Sequence, residues 1–196
     1  AFDASKKLLS IARKKDSKTI YKHYDFRDFN FKEKVNCVYS LWEAYNYLSQ
    51  PADIEKFLEN SFNALEKGGI IILDSRNFWK RGNQLEKKQA RKYNIDEYNI
   101  ELLISKKTIL KDRVHDGLFT YTIKNIKTGA QNIITYQELV RTWSPLEIAK
   151  YSKDKFEIIN VFGDFNLKNK YKKSSSNRMI MVLQKSNRSS RANMID

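Results

Sequence analysis

Three aspartates stand where an extended segment gives way to a loop or a helix: Asp3, Asp25 and Asp74. Ligands of open α/β sheets bind along the carboxyl ends of the strands, so acids placed there are candidates for chemistry. Asp3, in Phe2-Asp3-Ala4-Ser5, is followed at once by a helix. A carboxylate in that position can accept two hydrogen bonds from a ribose diol, as dinucleotide folds use an acid. It can equally cap the helix, and both readings stay open. Asp25 has Phe26 beside it. Such a carboxylate can accept from an exocyclic amine while the ring packs on a base. A turn aspartate next to a core phenylalanine is the plainer reading of the pair alone. The third group is Leu41-Trp42-Glu43-Ala44-Tyr45-Asn46-Tyr47, straight after a short apolar strand. Loops on a rigid sheet often carry function, and these side chains could line a small-molecule pocket. Tyr47 and Leu48 read instead as packing.

The elements that must position these residues alternate. Residues 4–15 put Leu8, Ile11 and Ala12 on one face with Leu9 alongside, and Asp3 or Ser5 as cap, which predicts an amphipathic helix. Thr19–His23 and Val35–Leu41 read as strands, the latter enclosing Cys37. Residues 51–66 carry Ile54, Phe57, Leu58, Phe62 and Leu65 at helical spacing, with Pro51 in the first turn. Lys67-Gly68-Gly69 ends that helix, and Ile70–Leu73 is a continuous apolar run typical of a strand buried on both faces. The order helix, strand, helix, strand predicts an α/β fold with right-handed crossovers.

Beyond residue 77 the pattern changes. Residues 80–92 are polar and basic without an apolar stripe. Asn99–Thr142 is extended and rich in Ile, Thr, Tyr and Val, with His115-Asp116-Gly117 and Lys127-Thr128-Gly129 read as hairpin turns. Ser144-Pro145-Leu146-Glu147 spells a capping box that opens a helix to about Ser152. Phe156–Phe162 and Arg178–Gln184 read as closing strands, and 186–196 as a flexible tail.

In combination, FDASKKLLSIARKK, YKHYDFRDF, VNCVYSLWEAYNYL and LEKGGIIILDSRN, in that order, resemble the class I S-adenosylmethionine-dependent methyltransferases. RTWSPLEI, VFGDFN and SNRMIMVLQK look like the last helix and two closing strands of the same family. The resemblance is to its small-molecule branch and is strongest over 1–77. It implies a Rossmann-like, doubly wound, mostly parallel sheet formed by 1–77 and 143–185. Residues 78–142 would be an antiparallel insertion or lid, a place for a homodimer contact. By position it implies Asp3 and Ala4 at the ribose, Asp25 and Phe26 at the adenine, and Leu41 and Trp42 at the methionine moiety. Glu43, Tyr45, Asn46 and Arg76 fall on the acceptor side, with Asn77 next to them. Two departures are small: Asn36 replaces an acid, and Lys67 a proline. The third is large. The family's glycine-rich loop is not found within 1–196, which implies a strand–loop–helix–strand unit of roughly 30 or more residues ahead of Ala1.

Composition limits the alternatives. The chain is 41% hydrophobic, so it can build a core. One cysteine excludes a disulfide framework, and no His/Cys/Asp cluster has metal-ligand spacing, so no metal is expected. No span-length apolar run or signal peptide is read, and a cytoplasmic protein without membrane contact is expected. The net charge of +14 suits a polyanion binder, yet 27 of 37 cations are lysines beside 17 Asn and 19 Ile, as AT-rich coding also produces. The expected function is methyl transfer from S-adenosylmethionine to a small acceptor. The alternatives are an RNA acceptor on the basic stretches 80–92 and Lys168, Lys170, Lys172 and Lys173, or a non-catalytic partner of the same fold. No residue is diagnostic of a general base; Glu43 or Tyr45 could serve, and His23 and His115 read as structural or exposed.

Overall fold

The computed structural model of the chain describes residues 1–81 and 86–186. Helix α1 (Lys6–Lys15) begins where Ser5, in extended backbone, accepts the Leu8 N–H through its hydroxyl at 3.2 Å. Asp3 does not cap it directly; its Oδ1 takes the N–H of Ser5 at 2.7 Å. Arg13, Lys14 and Lys15 close the helix, where cations favour the negative end of its dipole. Strand β1 (Phe2–Asp3) pairs in parallel with β2 (Lys22–His23), so the strand expected over Thr19–His23 shrinks to two residues.

Strand β3 (Val35–Ser40) leads through a 3-10 turn (Ala44–Tyr47) into α2 (Pro51–Ala64) and then β4 (Leu65–Arg76). Helix α2 buries Ile54, Phe57 and Leu58, each worth about 1.5–3 kcal/mol relative to exposure. It stops at Ala64, before the glycine pair. Gly68 and Gly69 lie inside β4, with Gly68 left-handed at φ 74°, where the β3–β4 register slips between Val35 and Cys37. The glycines therefore accommodate an irregular strand start rather than a helix cap.

Strands β9 (Phe156–Gly163) and β10 (Arg178–Lys185) complete a four-stranded sheet in the order β3-β4-β10-β9. β3 and β4 are parallel, whereas β10 runs antiparallel to both its neighbours, so this sheet is mixed. The β1–β2 pair forms a sheet of its own, joined to α2 by aromatic packing. Phe2 meets Phe29 at 4.9 Å between centroids, and Phe26 meets Phe57 at 5.3 Å.

After a short helix α3 (Phe78–Arg81) comes a second four-stranded sheet, antiparallel throughout. Its strands are β5 (Glu86–Ile95), β6 (Tyr98–Ile109), β7 (Val114–Asn125) and β8 (Gln131–Arg141), in sequence order. Two expectations are corrected here. Residues from Glu86 onward, read as patternless, form an outer strand. His115-Asp116-Gly117 is not a turn; it lies in β7, and the β6–β7 connection is Leu110–Arg113. The turn around Lys127–Gly129 is where it was expected. The basic stretch 80–92 lies in part outside the described residues, as does the tail from 187 on. No helix is long and apolar enough to cross a membrane, and no metal-binding cluster occurs among the described residues.

Helix α4 (Pro145–Ser152) carries the capping box in full. Its Glu147 also receives Arg113, from the β6–β7 connection, and Arg141 at 3.0 Å, from the end of β8. One carboxylate thus pins the antiparallel sheet to the rest of the molecule. Burial works against ionising Glu147, but the Ser144 hydrogen bonds and the two arginines hold it below the ordinary glutamate value of 4.5. A depressed folded pKa stabilises above the unfolded pKa and ceases to do so as pH falls through the folded value. Urea midpoints measured downward from pH 6 should therefore drop below about pH 4.5 in the wild type, and less steeply in Glu147→Gln.

Candidate functional site

The site is built at the carboxyl ends of β3 and β4. After Ser40 the chain passes through Leu41 into Trp42 and Glu43, two consecutive non-glycine residues with left-handed φ of 56° and 68°. Such conformations cost on the order of 1–3 kcal/mol each and persist only where the surroundings impose them. Here Asp74, the last acid of β4, imposes them. Its Oδ2 accepts the Trp42 N–H at 2.7 Å, and its carbonyl accepts the Glu43 N–H at 3.2 Å. Asp74 is fully buried and pairs with Arg178 of β10 through two bonds of 2.6 Å. Glu43 turns its carboxylate to Arg76, accepting the backbone N–H at 3.0 Å and Nε at 2.9 Å. Burial pushes the Glu43 carboxyl up, against the pull of Arg76. Trp42 itself is exposed, with the Arg178 guanidinium 5.2 Å from its ring and Phe165 at 6.4 Å.

The antiparallel sheet turns one face toward this edge. Cross-strand register and the alternation of side chains set three rows on that face. Lys106, Gly117 and Glu138 form one; Thr108, His115 and Val140 flank it on one side, and Ile104, Phe119 and Tyr136 on the other. Glu138 accepts a hydrogen bond from the Tyr47 hydroxyl of the 3-10 turn, which ties the sheet to the β3 edge, and lies 3.9 Å from Lys106. Gly117 is required by its neighbour, since a Cβ there would come within 2.9 Å of Phe119 Cε2. The freed space lets Phe119 stack on Tyr136, centroids 4.9 Å apart. His115 sits 3.0 Å from Thr108 Oγ1 through Nδ1 and packs on Phe78 at 5.1 Å. Its burial, then Lys106 and Arg76, hold its pKa below the ordinary histidine value.

The residues singled out in the sequence divide accordingly. Asp3 and Ala4 are exposed, and Asp3 Oδ2 has no partner among the described residues. Asp25 gives both oxygens to Arg27, at 2.8 Å each, and that pairing holds its pKa down to about 2. Phe26 packs edge-on between Phe2 and Phe57. Leu41, Trp42, Glu43 and Arg76 share the β3–β4 edge. Tyr45 and Asn46 are fully buried beneath it, and the Tyr45 hydroxyl and both Asn46 amide atoms have no partner among the described residues. They underlie the edge and do not face an open cleft. Asn77 joins the β9–β10 loop through Lys173 and Ser176 carbonyls. Sequence reasoning missed Lys106, Tyr136 and Glu138, read His115 as structural or exposed, and assigned Tyr47 to packing. No alternation along β8 signals Glu138, which shares its face with Ile134, Tyr136 and Val140.

No family model matches the sequence, and no curated protein is significantly similar to it. Solved structures do match. An S-adenosylmethionine-dependent methyltransferase from Clostridium acetobutylicum superposes with a TM-score of 0.73 at 18% identity, over 95% of this chain and 74% of that one. A sugar N-methyltransferase from a Streptoalloteichus species gives 0.71 at 14% identity, over 92% and 69%. An amino pentose methyltransferase from Micromonospora echinaspora gives 0.66 at 14%, over 94% and 72%. The chain therefore has the fold of the S-adenosylmethionine-dependent methyltransferases, of the kind also found in enzymes named for sugar acceptors.

Proposed function

We propose that the protein transfers a methyl group from S-adenosylmethionine to a small-molecule acceptor. The observation that carries this reading is the β3–β4 edge: a strained turn, clamped by a buried acid and faced by a polar row of the antiparallel sheet. The likeness of fold supports it. Residues 1–77 and 143–185 are read as the cofactor-binding core and 78–142 as the insertion that covers the acceptor.

The residues present fit the cofactor. Asp3 Oδ2 is unengaged and can accept from a ribose diol. Asp25 would meet the adenine amine through lone pairs that Arg27 leaves unused, beside Phe26. Leu41 and Trp42 would flank the methionine moiety. When bound, S-adenosylmethionine supplies an electrophilic methyl carbon on a sulfonium. The chain's own contribution is alignment, which can account for much of the acceleration of a displacement. Glu43, Arg76, Tyr47 and Glu138 orient the acceptor, with Phe119 and Tyr136 as an apolar platform. The acceptor class favoured is an amine on a hydroxylated ring, in keeping with the sugar methyltransferases of similar fold.

Calorimetry with S-adenosylmethionine and S-adenosylhomocysteine tests the reading. The wild type should bind both. Asp3→Ala should lose about 100-fold or more, because a hydrogen bond to a charged acceptor is worth about 1.5–3 kcal/mol and the diol makes two. Asp25→Ala should lose less, because Arg27 already shares that carboxylate. Absence of binding by the wild type would overturn the proposal.

A further inference from the structure

We infer that His115 is the proton acceptor of the reaction, taking a proton from the acceptor's nitrogen in the course of its methylation. The inference rests on the methyltransferase reading given above. Its ground is the placement of the imidazole. His115 stands on the sheet face that meets the β3–β4 edge, one row from Lys106 and Glu138, and is half-buried against Phe78. With Nδ1 engaged by Thr108, Nε2 is the ring nitrogen left for a ligand. The charged groups about it are Lys106 from β6, Arg76 from β4 and Glu138 from β8.

A base for this step must be neutral before it acts. Burial and the two cations bias His115 toward the neutral imidazole at neutral pH. Glu43 is less suited, because Arg76 occupies its carboxylate. The second histidine, His23, is on β2 with Nε2 3.0 Å from the Ala4 carbonyl, away from this face. The step balances. The nitrogen lone pair forms the new bond to the methyl carbon, and the carbon–sulfur pair stays on sulfur, giving neutral S-adenosylhomocysteine. The N–H proton passes to His115 Nε2, and from there to solvent.

The charge on the sulfonium supplies a test that needs no knowledge of the acceptor. The Cε1–H resonance of His115, assigned with His23→Gln, is titrated in the free protein and with saturating S-adenosylmethionine or S-adenosylhomocysteine. Saturation is verified by calorimetry. S-adenosylmethionine should lower the His115 pKa well beyond any change made by S-adenosylhomocysteine, since only the former carries a positive charge beside the imidazole. His115→Asn should bind both ligands within twofold of the wild type, which shows that the fold and cofactor site survive. Equal titration with the two ligands, both bound, would overturn the role of His115 and leave the methyltransferase reading standing. Failure of the wild type to bind either would overturn both.

Discussion

Asp74→Ala should cost about 3–5 kcal/mol of folding stability, the range for removing one partner of a buried ion pair. The reason is that the substitution strands Arg178, whose guanidinium is largely buried beside Trp42, and at the same time removes the acceptor of the Trp42 N–H. Urea unfolding checks it. Arg178→Met should cost a similar amount, since it leaves the fully buried carboxylate without a counter-charge. The double variant Asp74→Ala with Arg178→Met should cost well under the sum of the two, because each single change already forfeits the pair. A double variant that costs the full sum would mean that the two groups do not stabilise each other. The same variants should weaken S-adenosylmethionine binding more than their stability loss explains at temperatures where they remain folded, because the Trp42–Glu43 turn would relax.

Trp143→Ala is expected to be as damaging, at about 3–5 kcal/mol. The indole is fully buried, donates to the Leu48 carbonyl at 2.9 Å, lies under the Arg141 guanidinium at 4.0 Å, and meets Tyr151 edge-on at 5.5 Å. It is therefore the hub where the end of β8 meets the segment after the 3-10 turn and the face of α4. Trp143→Phe retains most of the volume and loses the hydrogen bond, for about 1–3 kcal/mol with the Leu48 carbonyl left unpaired. For a chain of this size each kcal/mol moves Tm by about 2–4 °C. Calorimetric melting should thus separate the alanine variant from the phenylalanine variant by several degrees. Equal shifts would place the role of the indole in its N–H alone.

Much of the fold was legible because local chemistry and tertiary structure agree. Ser144, Pro145 and Glu147 specify a helix start by themselves, and the structure places it there with both halves of the capping box made. The apolar spacing of Ile54, Phe57 and Leu58 likewise fixes the buried face of α2. Errors arise where one residue serves two purposes. Asp116-Gly117 has the composition of a turn, yet Gly117 is there because the Phe119 ring occupies the space of a side chain. Strand β5 was missed because as an outer strand it has polar and basic residues on both faces, Lys88, Arg91 and Lys92 among them, so no alternation shows. The β3–β4 edge was legible only where it is local: Asp74 near the end of its strand, and the aromatic loop after β3. Its other half is made of contacts between distant segments, Tyr47 with Glu138 and Asp74 with Arg178, 91 and 104 residues apart. No periodicity or motif encodes such pairs; sheet register brings them together.

The position of β10 between β4 and β9 has a consequence in time. During synthesis β3 and β4 emerge about a hundred residues before their third partner, and a nascent chain orders its segments as they appear. Until Arg178 arrives, Asp74 has no counter-charge and one edge of β4 lies bare. Trp42 and Glu43 have little reason to adopt their strained backbone before then. Maturation of this edge therefore coincides with docking of the last strand, and a ribosome-bound intermediate stalled short of it would be folded in part and would lack the turn that is proposed to hold the cofactor.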